Sequence, residues 1–235
     1  DGFEAKHASD IDNPNNAAFF VTNFNGAKRR VLGAYIEQEL ESSDTMQVEW
    51  GARLNQVKTN ASAVNGTPAM MMPPATALRD QFNDADRSKS DVLTDIFGKV
   101  NWQIADDLKL YLGVAHKQRA PSYQERYLWL PLEATGGLAD GQLYTGSIDL
   151  EPETASQLEF GFDYVLPGFS IQPRFFIHHI SDYIQGVASA PDSNAARFVA
   201  AMNAMNNSNR HPPLMFTNVG ARLYGFDADW RWQLA

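Results

Sequence analysis

Cysteine is absent from the 235 residues. That excludes a disulfide framework and any zinc or iron–sulfur site built on thiolates. Basic residues are in the minority: 19 Lys and Arg stand against 28 Asp and Glu, for a net charge of −9 and a pI near 5.0. A nucleic-acid surface needs a clustered basic face to neutralise phosphates, so no nucleic-acid partner is expected. No stretch approaches the ~18 consecutive apolar residues of a transmembrane helix. A transmembrane barrel is untouched by that absence, because its outward apolar residues alternate with inward polar ones. No export signal is visible from Asp1 onward. A Ser/His/Asp nucleophile elbow, a phosphate-cradling glycine loop and a helix-borne His-x-x-x-His pair are also missing. An enzyme is therefore not expected, and nothing in the sequence requires a cofactor.

What the chain does have is period-two alternation. Between Arg30 and Ser42, Leu32, Ala34, Ile36 and Leu40 share one face of a strand, with Tyr35, Glu37 and Glu39 on the other. A tight turn at Ser42 to Thr45 leads into a strand with Met46, Val48, Trp50, Ala52 and Leu54 on one face, completing a hairpin. A second hairpin joins Ile96–Ile104 to Leu108–Val114 across Ala105-Asp106-Asp107, and a third joins Gln157–Tyr164 to Phe169–Ile177 through Pro167-Gly168. Pro173 cannot donate to a ladder, which predicts a bulge or a local edge there. The last strand sets Phe226, Ala228, Trp230, Trp232 and Leu234 against Asp227, Asp229, Arg231 and Gln233. At the start, Gly2 to His7 reads as a strand end and Asp10 to Asn25 as an Asn-rich surface loop.

Connection lengths alternate too. Short turns separate the hairpin strands, while the connections Asn60–Ser90, Arg119–Asp149 and Ala190–Pro213 are long. Short periplasmic turns and long extracellular loops are the asymmetry of an outer-membrane barrel. A helical turn is expected around Ala77 to Phe82, and helical spacing of Ala195, Phe198, Val199, Met202 and Met205 follows an Asp192 cap. Trp50, Trp102, Tyr164, Trp230 and Trp232 fall near predicted turn ends, where a headgroup girdle would place amphipathic rings. These features predict an all-β fold: an antiparallel, up-and-down transmembrane β-barrel segment with long extracellular loops. A soluble β-sandwich binding module is the competing architecture, with the same aromatics as core.

The stretch from Arg119 to Phe162 carries the most specific pattern. Arg119-Ala120-Pro121 is followed by the aromatic and Glu-bearing Tyr123 to Tyr127, then Leu150-Glu151-Pro152-Glu153, and then a strand reading Glu159-Phe160-Gly161. This succession resembles the signature of the TonB-dependent outer-membrane receptors. The resemblance implies a barrel of about 22 strands closed by a plug, which loads a scarce ligand from outside and admits it when TonB pulls on the plug. Residues 1–235 would then be part of that barrel domain, with outer-membrane lipid around them and TonB engaged through a plug that is not in this stretch. A passive porin is the runner-up within the same architecture.

Two groups of residues are candidates for ligand contact. In the central loop, Tyr123, Arg126, Tyr127 and Trp129 could recognise a small-molecule or metal-chelate ligand by stacking and charge-assisted hydrogen bonds, or pack the loop on the barrel mouth. In the other long loops, Met70, Met71, Met72 and His211 offer thioether and imidazole donors that suit copper, especially Cu(I). Packing of irregular loops by Met is the competing account. His178 and His179 are adjacent in a strand and point to opposite faces, so they cannot chelate from one side.

Overall fold

The structure, a computed structural model, describes residues 2–13, 16–132 and 140–233, with side chains from residue 19 onward. Leu234 of the expected last strand, Pro14 and Asn15 of the Asn-rich stretch, and positions 133–139 of the central loop lie outside the described residues. Eight long strands carry the fold: β1 (Gly2–Asn13), β2 (Asn16–Ser43), β3 (Met46–Asn60), β5 (Lys89–Ala105), β6 (Leu108–Arg119), β8 (Glu153–Leu166), β9 (Phe169–Ala188) and β10 (Leu214–Trp232). Two short strands, β4 (Asn65–Gly66) and β7 (Tyr144–Thr145), lie in the long connections, together with helices α1 (Thr67–Met71), α2 (Pro73–Asp84), α3 (Tyr123–Tyr127) and α4 (Asn194–Asn206).

Each long strand pairs antiparallel with the next in sequence, and the meander curls into a half-barrel. β4 adds to β2, and β7 adds to β10 in parallel. Register follows the alternation. Val100, Leu112, Phe160, Phe175 and Phe226 stand opposite one another in a row across five strands, with Phe160 and Phe175 stacked at 5.0 Å. This row stays uncovered: Leu112 is 48% exposed and Phe226 67%. The other face is polar, with Lys99 paired to Glu49 at 3.0 Å, Arg174 to Asp163 at 2.5 Å and the Tyr111 hydroxyl on Glu159 at 3.3 Å. An apolar outside and a salt-bridged inside are the arrangement of a membrane barrel wall. A soluble sandwich would bury the apolar row under a second sheet.

The buried core is displaced to one end. Val21, Phe24, Tyr127, Leu128, Trp129, Leu130 and Phe198 form a cluster where the long connections fold over the sheet. The Asn-rich stretch, expected to be a loop, is instead strand on both sides of positions 14 and 15. Asp10 and Ile11 pair with Thr22 and Val21, and Val21, Asn23, Phe24 and Ala27 are buried beneath the loops on both faces, which removes the alternation that marks a half-exposed strand. The helical turn near Ala77 is a full helix of 12 residues. Helix α4 forms where expected, but Ser193 caps it, its hydroxyl accepting from the Ala196 amide at 3.2 Å; Asp192 does not.

Pro173 causes neither a bulge nor an edge. Its strand is paired on both sides and keeps register, although the β8 ladder lapses between Gly161 and Tyr164. The neighbouring Arg174 guanidinium donates to the Phe162 carbonyl at 3.0 Å, taking the place of the amide proton that proline lacks. Gly161 completes the arrangement, since a Cβ there would lie 2.2 Å from the Pro173 carbonyl oxygen.

Candidate functional site

The central loop is built on a short helix. Ser122 caps α3 by accepting from the Glu125 amide at 3.2 Å, while the Glu125 carboxylate accepts from the Ser122 amide at 2.6 Å, a reciprocal capping box. Arg119, the last residue of β6, then joins three parts of the signature. Its Nη1 and Nη2 donate to Glu125 at 2.9 and 3.0 Å, and its Nε donates to Glu153 at 2.7 Å. The second oxygen of Glu153 accepts from the Ile184 amide on β9 at 2.7 Å. The carboxylates of Glu153 and Glu125 hold the Arg119 proton more tightly than usual. Burial pushes the Glu153 carboxyl upward, but the Arg119 hydrogen bond, the Ile184 amide and the guanidinium charge outweigh it and hold the pKa below its ordinary value. Both groups sit at the loop ends of their strands, beyond the apolar outer face.

The sequence candidates in this loop occupy its foundations. Arg126 is 2% exposed and makes a two-pronged pair with Asp91 at 2.8 and 3.0 Å, with further bonds to the Thr59 hydroxyl and the Leu150 carbonyl. Tyr127 is fully buried, donating to the Arg87 carbonyl at 2.9 Å. Trp129 is also buried, and its ring nitrogen donates to the Thr22 carbonyl at 3.1 Å. Tyr123 is half-buried, edge-on to Phe24 at 5.1 Å. Gly146 lets the returning chain pass: a Cβ there would meet the Arg126 carbonyl at 2.8 Å. Further along, Tyr144 donates to Asp140 at 2.6 Å; burial, then the bond and charge of Asp140, push its hydroxyl up to about 12.

The methionines divide. Met72 packs against the buried cluster, as Met202 does, whereas Met70 and Met71 are 60% and 73% exposed on α1. His211 is exposed on the segment that leads into β10. Among the described residues, no group of three His, Asp or Glu side chains is arranged to hold a metal. A cavity of about 330 Å³ opens between α2, the central loop and the start of α4. Phe82, Trp129 and Ile148 give it apolar surface, and Ser189 and Asn194 contribute polar atoms. The Ser189 hydroxyl is buried, with no hydrogen-bond partner among the described residues.

Sequence reasoning missed the residues that fasten the loops from outside the signature. Asn218 on β10 accepts from the Glu151 amide and donates to the carbonyls of Glu151 and Asp182 at 3.0 and 2.7 Å. Asn83 on α2 bonds both backbone groups of Val64. The available signal for Asn218 was an amide side chain in a strand, a setting that disfavours Asn.

An apolar exterior, a salt-bridged interior and loops packed over one end define a wall segment of a membrane β-barrel. A family model for the TonB-dependent receptor-like β-barrel matches residues 2–235, and the chain belongs to that family, which is made up of transport receptors. No curated protein sequence gives a significant match. Among solved structures, the copper transporter OprC superimposes over 100% of this chain and 32% of its own, with a TM-score of 0.67 and 16% identity. The hemophore receptor HasR of Serratia marcescens, solved with its hemophore HasA and heme, gives a TM-score of 0.58 at 12% identity, over 99% of this chain and 39% of its own. The FrpB iron transporter of Neisseria meningitidis gives 0.54 at 16% identity, over 90% and 25%. The chain thus spans about a third of these proteins, and at such identities the likeness is one of fold.

Proposed function

We propose that residues 1–235 are part of the barrel domain of an outer-membrane receptor that takes up a scarce nutrient, gated by its ligand and driven by TonB. In this reading the connections 61–88, 120–152 and 189–213 face the cell exterior, and the plug and TonB contact belong to parts of the receptor beyond these residues. The ligand class is a ferric siderophore or similar metal chelate. The observation that carries this is the cavity of about 330 Å³ framed by the clamped central loop at the long-loop end. Aromatic walls with scattered hydroxyl and amide groups suit an organic chelate that has flat rings and many oxygens. Trp129 faces this cavity, Arg126 and Tyr127 hold its frame in place, and Tyr123 is half-buried at the start of the same loop.

A second reading, copper capture by the loop methionines, rests on the exposure of Met70 and Met71, for which packing gives no reason. Calorimetry on the detergent-purified full-length receptor, against a panel of ferric siderophores, Cu(I) and Cu(II), separates the two. The chelate reading expects saturable siderophore binding that weakens about tenfold in Trp129→Ala or Tyr123→Ala. Copper binding abolished by Met70→Leu with Met71→Leu, or by His211→Ala, supports the second reading. Binding of neither class rejects both.

A further inference from the structure

From β2 to β10 the outward-facing rows of the long strands end, toward the long connections, in a change from apolar to basic or neutral residues. On β2 the row Leu40, Ile36, Leu32 gives way to Arg30 and Lys28. On β3 the row Trp50, Leu54 gives way to Gln56 and Lys58. Register sets Arg30 directly opposite Lys58, with Lys28 two residues further along the same face, and Ser90 of β5 on the far side of Lys58. The same change recurs at the other side of the sheet, where His179 and Arg222 are opposite one another just beyond Ile177 and Tyr224.

Like charges directly across an antiparallel pair repel. Lys28, Arg30 and Lys58 are all exposed, and among the described residues none has a carboxylate within ion-pair distance. β1 places Glu4 beside Arg30 and Lys6 beside Lys28 in register, one charge of each sign, so the patch stays cationic. It stands out in a chain of net charge −9. Directly below it, Leu32, Leu54 and Val92 are exposed by more than half. A soluble anion would use the cations and leave that apolar surface idle. A molecule with phosphates at one end and acyl chains at the other uses both.

We propose that Lys28, Arg30 and Lys58 bind the phosphate groups of a membrane lipid whose acyl chains lie along Leu32, Leu54 and Val92. The proposal rests on the reading of this sheet as a membrane-spanning wall and is independent of which nutrient is transported. Guanidinium and ammonium groups bond phosphate oxygens with charge assistance, and the contact would offset the Arg30–Lys58 repulsion.

The test uses the full-length receptor extracted from the outer-membrane fraction, with native mass spectrometry of lipid adducts. The probes are bis-phosphorylated lipid A, the same lipid stripped of phosphate, and inorganic phosphate. The wild type should retain the phosphorylated lipid, and the Lys28→Gln/Arg30→Gln/Lys58→Gln variant should hold it about 100-fold more weakly, at roughly fivefold per charge. Equal retention by variant and wild type, or equal retention of the two lipids, overturns the proposal. Displacement by millimolar inorganic phosphate assigns the patch to a free anion and also overturns it. Should the triple variant fail to fold, Lys58→Gln alone should lose about fivefold in lipid retention while its lipid-free melting temperature holds or rises. A receptor absent from the membrane fraction contradicts the barrel reading itself, whereas one that embeds and binds lipid but transports nothing leaves this proposal standing.

Discussion

Arg126 is a buried cation neutralised by Asp91, whose own side chain is only 10% exposed. Arg126→Met therefore strands a carboxylate in a dry site, at a cost of about 3–5 kcal/mol, and Asp91→Leu added to it should recover most of the loss. Denaturant melts of the full-length receptor in detergent check both. Gly161 gives a second expectation at this scale. Gly161→Ala drives a methyl group into the Pro173 carbonyl and should cost about 1–3 kcal/mol, read as a lower temperature for loss of the compact band in heated gel samples. The positions of these residues were visible in the sequence, but their partners were not. Nothing in the spacing around Arg126 points to Asp91, 35 residues earlier, so a guanidinium in an aromatic loop reads equally well as a ligand contact or as a strut.

The element that decides the site is the loop between β6 and β8, held at Arg119, Glu125 and Glu153. Because Glu153 has a depressed pKa in the fold, its contribution is complete above the ordinary glutamate value of about 4.3 and is lost as pH falls through the lower folded value. Hydrogen exchange of segment 119–132 should accelerate as pH drops below about 4, after correction for intrinsic rates, and Glu153→Gln should show faster exchange at neutral pH with little further acid dependence. Strands with one exposed face were legible from alternation, and their turns fell where expected at Ser42–Thr45, Ala105–Asp107 and Pro167-Gly168. The start of β2 was not, because Phe19 to Ala27 is covered by β4, α1 and the Trp129 loop, and burial on both sides erases the period. Helix α3 escaped notice because five residues give too little periodicity, although Ser122 and Glu125 spelled its cap.

At the scale of the molecule, the two faces of the sheet should tolerate charge very differently. Leu112→Arg, in the middle of the apolar row, should cost about 2–4 kcal/mol in a bilayer, while Gln157→Arg on the inner face should be nearly neutral. Folding titrations into lipid vesicles measure both. This division was the most legible property of the chain, since alternation alone assigns every residue of a strand to one face or the other. The identity of the ligand was the least legible, because it depends on how three connections far apart in sequence fold over one end.

One of those connections depends on a strand much later in the chain. β7 joins β10 through Leu214 and Met215, and Glu151 bonds to Asn218, 67 residues further on. Hairpins of the meander can zip up in order, each strand on its predecessor, but this loop cannot. It is complete in the chain before its last attachment exists, and Tyr144, Thr145 and Glu151 have no β10 partner until that strand arrives. The cavity at the long-loop end is therefore among the last parts of this chain to take shape, and a defect in the first residues of the final strand reaches the site as well as the wall.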